Sequence, residues 1–204
     1  MTGMASSLAA ALLAAIPGLA FAHGLSADLG GFNGGMLHPV AVPAHLLGLL
    51  ALALFYGQEG RGGAASALPR IAAGCAAGVA LARPDAGIVV QMLLLGATAV
   101  MGILVAAALK APPAMATVLT AAIAFAIVLD SAPDAATGRG RLAALAGTGI
   151  AISAGFVWTS ALLACLHRPW QRIGIRVAGS WASACAALVL ALAASGRLIA
   201  GGAT

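Results

Sequence analysis

The sequence predicts an all-α, polytopic membrane protein with about six transmembrane helices after an N-terminal signal sequence. Of its 204 residues, 62% are hydrophobic and only 7% are charged, and the mean hydropathy is +1.07. A soluble domain carries about 25% charged residues, so this chain has too little polar surface to coat a water-soluble body. Several apolar runs approach or exceed the roughly 18–20 residues that cross a hydrocarbon core, and they are continuous rather than alternating, which favours helices over a membrane β-barrel.

The distribution of charge excludes two broad classes of function. The net charge is +5, but Lys and Arg are spread over the loop ends, as in proteins whose membrane helices are oriented by positive charge. They do not cluster on a soluble face, as nucleic-acid binding would require. The sequence contains no catalytic triad, P-loop or nucleotide fingerprint, and no span pairs an acid with a base. We therefore expect neither an enzyme nor a nucleic-acid-binding protein.

The amino-terminal residues 1–22 are expected to be a secretory signal. Leu8 to Ile16 is a short apolar core, and Ala20-Phe21-Ala22 matches an A-x-A cleavage site. Because Met1 to Ser7 contains no Lys or Arg, an uncleaved short helix is the alternative. Cleavage would place His23 at the new amino terminus.

The first transmembrane helix is expected at Met36–Tyr56, within a single helical membrane domain that covers residues 23–204. The Gly-rich residues 23–35 that precede it are expected to form a flexible lead-in or a re-entrant segment. The span contains His38 and His45. Ionisable side chains inside a membrane are costly, so these two histidines indicate a functional site.

The spacing of the two histidines limits what they can do together. On a straight helix, His38 and His45 would share a face but stand about 10.5 Å apart along the axis, too far for one metal ion with bonds of about 2.0–2.1 Å. Pro39 and Pro43 can bend or break the segment and shorten this distance. Otherwise the two rings would be successive stations on a path. A packing or hydrogen-bonding role is the alternative.

The second span is expected at Ile71–Ala82, after a loop at residues 57–70. A run of this length is shorter than a hydrocarbon core, so it needs flanking residues or is a partial helix packed within the bundle. Gly74 and Gly78, four positions apart, give it a smooth face for close contact with another helix.

The third span, Gly87–Leu109, is the clearest apolar run in the chain. Its polarity is broken only by Gln91 and Thr98, which lie seven positions apart. These two side chains could line a polar path, although hydrogen bonding between helices is the more common use of such residues.

Three further spans are expected at Ala114–Leu129, Leu142–Leu166 and Ile173–Ala194. A polar loop at residues 130–140 separates the first two of these spans. Aromatic residues near the expected membrane interfaces are interpreted as anchors in the interfacial belt; these are Tyr56, Trp158 and Trp170.

The loops predict an orientation. If the mature chain begins outside the cytoplasm, three loops lie inside, at residues 57–70, 110–113 and 167–176. These loops carry more Lys and Arg than the outer segments, as the positive-inside rule requires. Most of the carboxylates and histidines are expected at or near the outer face: Asp28, Asp85, Asp130, Asp134, His23, His38 and His45. Such a cluster suits capture of a divalent cation, unless the acids gather there only because positive charge is disfavoured.

Motifs in the first and third spans carry a resemblance to a known family. The expected cleavage would leave His23 at the amino terminus, followed by Gly31-Phe32-Asn33-Gly34-Gly35, His38-Pro39 and His45-Leu46-Leu47, with a second match at Asp85-Ala86-Gly87-Ile88 and Leu95-Gly96. These features resemble the HupE/UreJ family of hydrogenase and urease accessory membrane proteins, which are regarded as nickel or cobalt permeases. The family motif is His-Pro-x-x-Gly-x-Asp-His, and His38, Pro39 and His45 occupy matching positions.

Two positions depart from that motif. Val42 replaces its Gly and Ala44 replaces its Asp, so the anionic ligand expected beside His45 is missing. The carboxylates that could replace it as oxygen ligands are Asp85, Asp130 and Asp134.

The resemblance implies a permease for a divalent transition-metal cation, nickel or cobalt, that supplies metalloenzyme maturation. Its outer metal site would comprise His38, His45, His23 and Asp85, with no permanently bound cofactor. We expect it in the bacterial inner membrane with the mature amino terminus in the periplasm. The alternative is a non-transporting accessory or structural protein. Expected partners are the lipid bilayer, the metal ion, and a second copy of the chain or an accessory membrane subunit.

Overall fold

The computed structural model describes residues 31–82, 87–133 and 138–201, and the described residues form seven α-helices without a strand. The helices are α1 (Gly31–Ala41), α2 (Pro43–Gln58), α3 (Arg61–Leu81), α4 (Gly87–Ala106), α5 (Pro113–Asp130), α6 (Gly138–Ala164) and α7 (Pro169–Gly201). Helices α3 to α7 are each long and apolar enough to cross a membrane, and the bent pair α1–α2 passes the same test jointly. The predicted fold class, an all-α polytopic membrane protein, is therefore confirmed, with up to six spans.

The first span is broken, and the single helix expected at Met36–Tyr56 is wrong. Helix α1 begins at Gly31 and ends at Ala41, α2 begins at Pro43, and the two axes bend by 72°. Pro43 has no N–H to donate, and its ring clashes with a carbonyl four residues earlier. Val42 between the helices is extended, with φ −93° and ψ 116°. The Gly-rich stretch that was expected to be a flexible or re-entrant lead-in contributes the start of α1 from Gly31 onward.

The prediction of a loop at residues 57–70 is also wrong. Helix α3 begins at Arg61 and continues through Pro69 to Leu81, so only Glu59 and Gly60 separate it from α2. Gly60 turns the chain with φ 81°, a conformation that residues with a side chain rarely adopt. The residues before Ile71 are mostly Gly, Ala and Ser, which are common in membrane helices although they are weakly apolar. A search for strongly apolar runs therefore starts this helix too late.

The remaining helices lie near their expected positions, with shifted ends: α4 ends at Ala106 rather than Leu109, and α7 begins at Pro169 rather than Ile173. Helices α5 and α7 each begin at a proline, Pro113 and Pro169, whose restricted φ suits the first helical position. Helix α5 includes Asp130 as its last residue, so this acid belongs to a span and not to the loop that was expected to contain it.

Helix α2 lies at the centre of the bundle. Its residues from Ala51 to Tyr56 are all buried, and it contacts each of the other six described helices. Around it, α1 packs on α6, α3 packs on α5, and α4 packs on α7. Large apolar side chains on the outer surface of α7, including Trp181, Leu188 and Leu192, are exposed, as side chains that face lipid are.

Glycines allow the paired helices to approach closely. A Cβ added at Gly35 of α1 would overlap the backbone carbonyl of Ala144 of α6, and the Thr148 hydroxyl of α6 donates to the Gly35 carbonyl at 3.0 Å. Gly74 and Gly78 face α5 in the same way, which supports the smooth contact face predicted from their spacing. The contact between α1 and α6 holds the helix that carries His38.

Candidate metal centre

Three side chains that can ligate a metal converge at the bend in the first span. His38 lies in the last turn of α1, His45 in the first turn of α2, and Asp130 at the carboxyl end of α5. Each offers one ligand atom, and these atoms all lie within 4.8 Å of one another. Among the described residues, this is the one group of three or more His, Cys, Asp or Glu side chains with such a spacing.

The bend brings the two histidines together. On a straight helix, seven residues would separate His38 and His45 by about 10.5 Å along the axis. With the 72° change of direction at Val42, the centroids of their rings are only 5.2 Å apart and the ring planes are tilted by 53°. The bend therefore removes the separation that a straight helix would impose, and the two rings are close enough to face one ion.

Asp130 orients His45. The His45 Nε2 atom lies 2.9 Å from Oδ2 of Asp130, and the His45 side chain is fully buried whereas that of Asp130 is 34% exposed. An ionised carboxylate can only accept, so Nε2 donates to Oδ2. The other ring nitrogen, Nδ1, is buried and has no hydrogen-bond partner in the described part of the chain. A metal ion that bound both Nε2 and Oδ2 would take the place of the proton between them, because imidazole ligates in its deprotonated form.

Backbone dipoles add to the charge at the cluster. Helices α1 and α5 both end there, and each carboxyl terminus contributes about half a negative charge from its unpaired carbonyls. The α2 amino terminus, which begins at Pro43, contributes the opposite sign. A carboxylate at a helix carboxyl end is itself disfavoured, so Asp130 is stabilised by a nearby cation. These dipoles and the Asp130 carboxylate favour occupation by a positive ion.

The set of donors determines which ions fit. Two imidazole nitrogens and one carboxylate oxygen suit borderline divalent transition metals better than Ca²⁺ or Mg²⁺, which prefer oxygen ligands alone. Around a tetrahedral ion with bonds of about 2.0–2.1 Å, neighbouring ligand atoms stand about 3.3 Å apart. The present limit of 4.8 Å is wider by about 1.5 Å, a difference that side-chain rotation can close. Three protein ligands leave at least one position for water.

The residues predicted for the site have different outcomes. The structure brings His38 and His45 together, whereas His23, Asp85 and Asp134 lie outside the described residues. Asp130 supplies the carboxylate that Ala44 does not supply beside His45. The signal that could have singled it out is its place at the very end of an apolar span, where an acid is costly unless it has a function.

A second polar group lies nearer the opposite end of α2. The Tyr56 hydroxyl is 2.8 Å from Oγ1 of Thr120, and Nη1 of Arg70 donates to the same hydroxyl at 3.0 Å. Tyr56 is only 1% exposed, so the expected role as an interfacial anchor is wrong for this residue. Trp158 and Trp170 are 80% and 65% exposed, as residues that face lipid or its headgroups are.

The two polar residues predicted within the third span differ in environment. Gln91 is exposed near the start of α4, whereas Thr98 is fully buried in its middle. They therefore do not line one path, and the Thr98 hydroxyl has no hydrogen-bond partner among the described residues. Hydrogen bonding between helices, the more common use of such a residue, is not what the Thr98 side chain does here.

Comparisons with known proteins identify no relative: no family model, curated protein or solved structure matches this chain. The resemblance to the HupE/UreJ family rests on motifs of the first and third spans and stays a prediction.

Proposed function

We propose that this protein is a membrane permease for a divalent transition-metal cation and that His38, His45 and Asp130 bind the ion on its way across. The observation that carries the proposal is the convergence of three ligand atoms within 4.8 Å at a break in a membrane span. A broken helix frees backbone groups, which membrane proteins tolerate where the segment is buried in protein or lines a cavity. Transporters commonly place their binding sites at such breaks.

The position of the cluster supports a role in uptake rather than in permanent storage. Asp130 is partly exposed and His45 is fully buried, so the cluster extends from the surface of the bundle into its interior. With three protein ligands, the ion would retain water and could be released more easily than from a closed four-ligand site. An ion bound here would lie inside the bundle and could still be released from it.

Nickel and cobalt are the proposed ions. The nitrogen-rich donor set selects against Mg²⁺ and Ca²⁺, and the resemblance to the HupE/UreJ family narrows the borderline ions to these two. We further propose that the protein lies in a bacterial inner membrane, with its mature amino terminus and the metal site on the periplasmic side, where it supplies metal for metalloenzyme maturation.

Metal binding to the purified full-length protein tests the site. We expect titration calorimetry with Ni²⁺ and Co²⁺ to give one ion per chain, and we expect His38→Ala, His45→Ala and Asp130→Ala each to weaken binding by about 10- to 100-fold. His167→Ala and Glu59→Ala are matched controls, because both side chains are exposed and lie outside the cluster. Equal affinity in all five variants would remove the site.

Uptake of radiolabelled nickel or cobalt into proteoliposomes tests transport itself. We expect uptake by the wild type and the two controls and a loss of uptake in the three cluster variants. Binding without uptake would instead favour the alternative, a non-transporting accessory protein that presents its metal to a partner subunit. If the wild type shows neither metal binding nor metal uptake, the proposal as a whole is contradicted.

A further inference from the structure

The end of the bundle away from the metal centre carries positive charge that the described carboxylates do not neutralise. The exposed cations around the end of α4 and the start of α7 are Lys110, Arg168, Arg172 and Arg176. Within the described part of the chain, the one ion pair joins His45 to Asp130, in the metal centre. A cluster of cations without carboxylate partners favours an anionic ligand.

Arg172 and Arg176 lie one turn apart on the same face of α7, and both are tied to neighbouring helices. Nε of Arg176 donates to the carbonyl of Ala106 at the end of α4, at 2.8 Å, and Nη1 of Arg172 donates to the carbonyl of Gln58 at the end of α2, at 3.4 Å. The Gln58 side chain donates in turn to the carbonyl of Val105 of α4, at 3.1 Å. The two guanidinium groups are therefore positioned by the ends of α2 and α4.

These bonds leave most of the arginine donors unused. A guanidinium group has five N–H donors, and each of the two arginines uses one nitrogen for a backbone carbonyl. Their other nitrogens have no hydrogen-bond partner among the described residues. The planar fork of a guanidinium group matches the oxygens of a phosphate group. Arg172 and Arg176 could therefore bind one phosphate group between them.

The two arginines border a surface that faces lipid. Exposed apolar side chains follow them on α7 at Ile173 and Val177, and Ile103 of α4 is exposed one turn before Ala106. Long cationic side chains beside exposed apolar residues are typical of the boundary between the hydrocarbon core and the headgroups. A ligand at this place would meet cations at one end and apolar side chains along its length.

This combination favours a lipid over an acidic protein segment. An acidic segment would be recognised by charge alone, and it would gain nothing from the apolar side chains beside the arginines. Basic pockets between membrane helices, in contrast, bind the headgroups of anionic lipids. An amphiphile with an anionic head and apolar chains matches both parts of the surface.

We infer that Arg172 and Arg176, where α7 meets the end of α4, bind the headgroup phosphate of an anionic phospholipid, and that its acyl chains lie along Ile103 and Val177. Lys110 and Arg168 add to the positive potential that attracts the headgroup. Because the two arginines also contact α2 and α4, a lipid bound to them would strengthen the packing of α7 on the bundle. The inference does not depend on the proposed function.

Lipid binding to the full-length protein in micelles of a neutral detergent tests the site. Native mass spectrometry counts the bound lipids during titration with phosphatidylglycerol, which is anionic, or with phosphatidylcholine of the same chain length, which is zwitterionic. We expect one tightly bound phosphatidylglycerol per chain, with a Kd about 25-fold below that of phosphatidylcholine, since each of two cations contributes about fivefold. Arg172→Gln and Arg176→Gln should each lower this preference about fivefold, and the double variant should abolish it.

Matched variants control for charge and for folding. Arg139→Gln removes an exposed cation at the other end of the bundle, so it makes the same change in net charge and should keep the preference. Arg176→Lys keeps the charge and should lose less of the preference than Arg176→Gln. Phosphatidylglycerol should raise the Tm of the wild type and of Arg139→Gln, but not that of the double variant.

Four results would overturn the inference. The first is equal affinity of the wild type for the two lipids, and the second is an unchanged preference in the double variant. The third is an equal loss of preference in Arg139→Gln, which would indicate an effect of overall charge. The fourth is displacement of the lipid by inorganic phosphate or by a poly-glutamate peptide, which would indicate a site for a soluble anion. Absence of nickel and cobalt binding would remove the proposed function and leave this inference in place.

Discussion

At the scale of single residues, the carboxylate of Asp130 does what the side chain at position 44 cannot do. Ala44 leaves His45 without an acid beside it in the sequence, and Asp130 reaches the same ring from α5, with Oδ2 2.9 Å from Nε2. The buried His45 ring is thereby held with Nε2 towards the carboxylate, so that Nε2 and Oδ2 would face the same ion. A carboxylate contributed by another helix also means that the site depends on the packing of α2 against α5.

Ala108 is strained, and its replacement tests the fold at the end of α4. Its φ is 54°, and the hydrogen bonds from Leu109 to Leu104 and from Ala108 to Val105 form the six-to-one and five-to-two pair of a Schellman motif. This conformation costs a residue with a Cβ about 1–2 kcal/mol and costs Gly far less. We expect Ala108→Gly to raise the free energy of unfolding in mixed micelles by about 1 kcal/mol.

Ala99→Gly in the interior of the same helix is the control for Ala108→Gly. Glycine is unfavourable inside a helix, so we expect Ala99→Gly to lower the free energy of unfolding by about 1 kcal/mol. The same sign for both substitutions would contradict the strain at Ala108.

At the scale of elements, the break between α1 and α2 creates the site. Pro43 begins α2 and cannot continue α1, and Val42 between them is extended. The close contact of Gly35 with Ala144 then holds α1 against α6, so His38 keeps its place over His45. The bend is therefore set both by local sterics and by helix packing.

Replacement of Pro43 measures how much of the bend is set by local sterics rather than by helix packing. We expect Pro43→Ala, which restores an N–H and relieves the clash with the preceding turn, to let the segment straighten and to separate the two imidazoles. The Kd for Ni²⁺ in titration calorimetry should then rise by about tenfold. Pro113→Ala, at the first position of α5, is the control, since most residues are accepted there. An unchanged Kd in Pro43→Ala would mean that the packing of α1 on α6 alone sets the bend.

At the scale of the whole molecule, the number of crossings depends on the bent pair. If α1 and α2 together make one span, the bundle has six crossings and both ends of the described chain lie on one side of the membrane. If the pair is a re-entrant loop, five crossings place the ends on opposite sides. The end of the bundle away from the metal centre carries Lys110, Arg168, Arg172 and Arg176, which predicts that this end is cytoplasmic.

Reporter fusions test this orientation. With the basic end in the cytoplasm, we expect alkaline phosphatase fused after Thr204 to be active outside the cytoplasm and a green fluorescent protein at the same site to be dark. A fusion at Lys110, in the basic loop, should give the opposite pattern. Fluorescence from both fusions would contradict the three crossings, α5 to α7, that separate the two sites. A reversal of both patterns would contradict the orientation.

The local properties of the chain were predictable from its sequence. Membrane spans follow from hydropathy, so the all-α class, α4 to α7 and the candidate histidines could all be identified. The two prolines allow a bend without fixing its place, since Pro39 lies inside α1 and the break is at Val42. The start of α3 could not, because its Gly, Ala and Ser residues carry a weak hydropathy signal and its Pro69 is accommodated inside the helix.

Only the tertiary structure decided which groups meet. His45 and Asp130 are 85 residues apart, and the contact between them depends on how α5 lies against α2, which hydropathy does not encode. The same holds for the Tyr56 hydroxyl on Thr120 and for the burial of Thr98 beside Gly48. Apolar runs determine that helices span the membrane, whereas the shapes of their small-residue faces determine which helices pack together, and the candidate metal centre is a product of that packing.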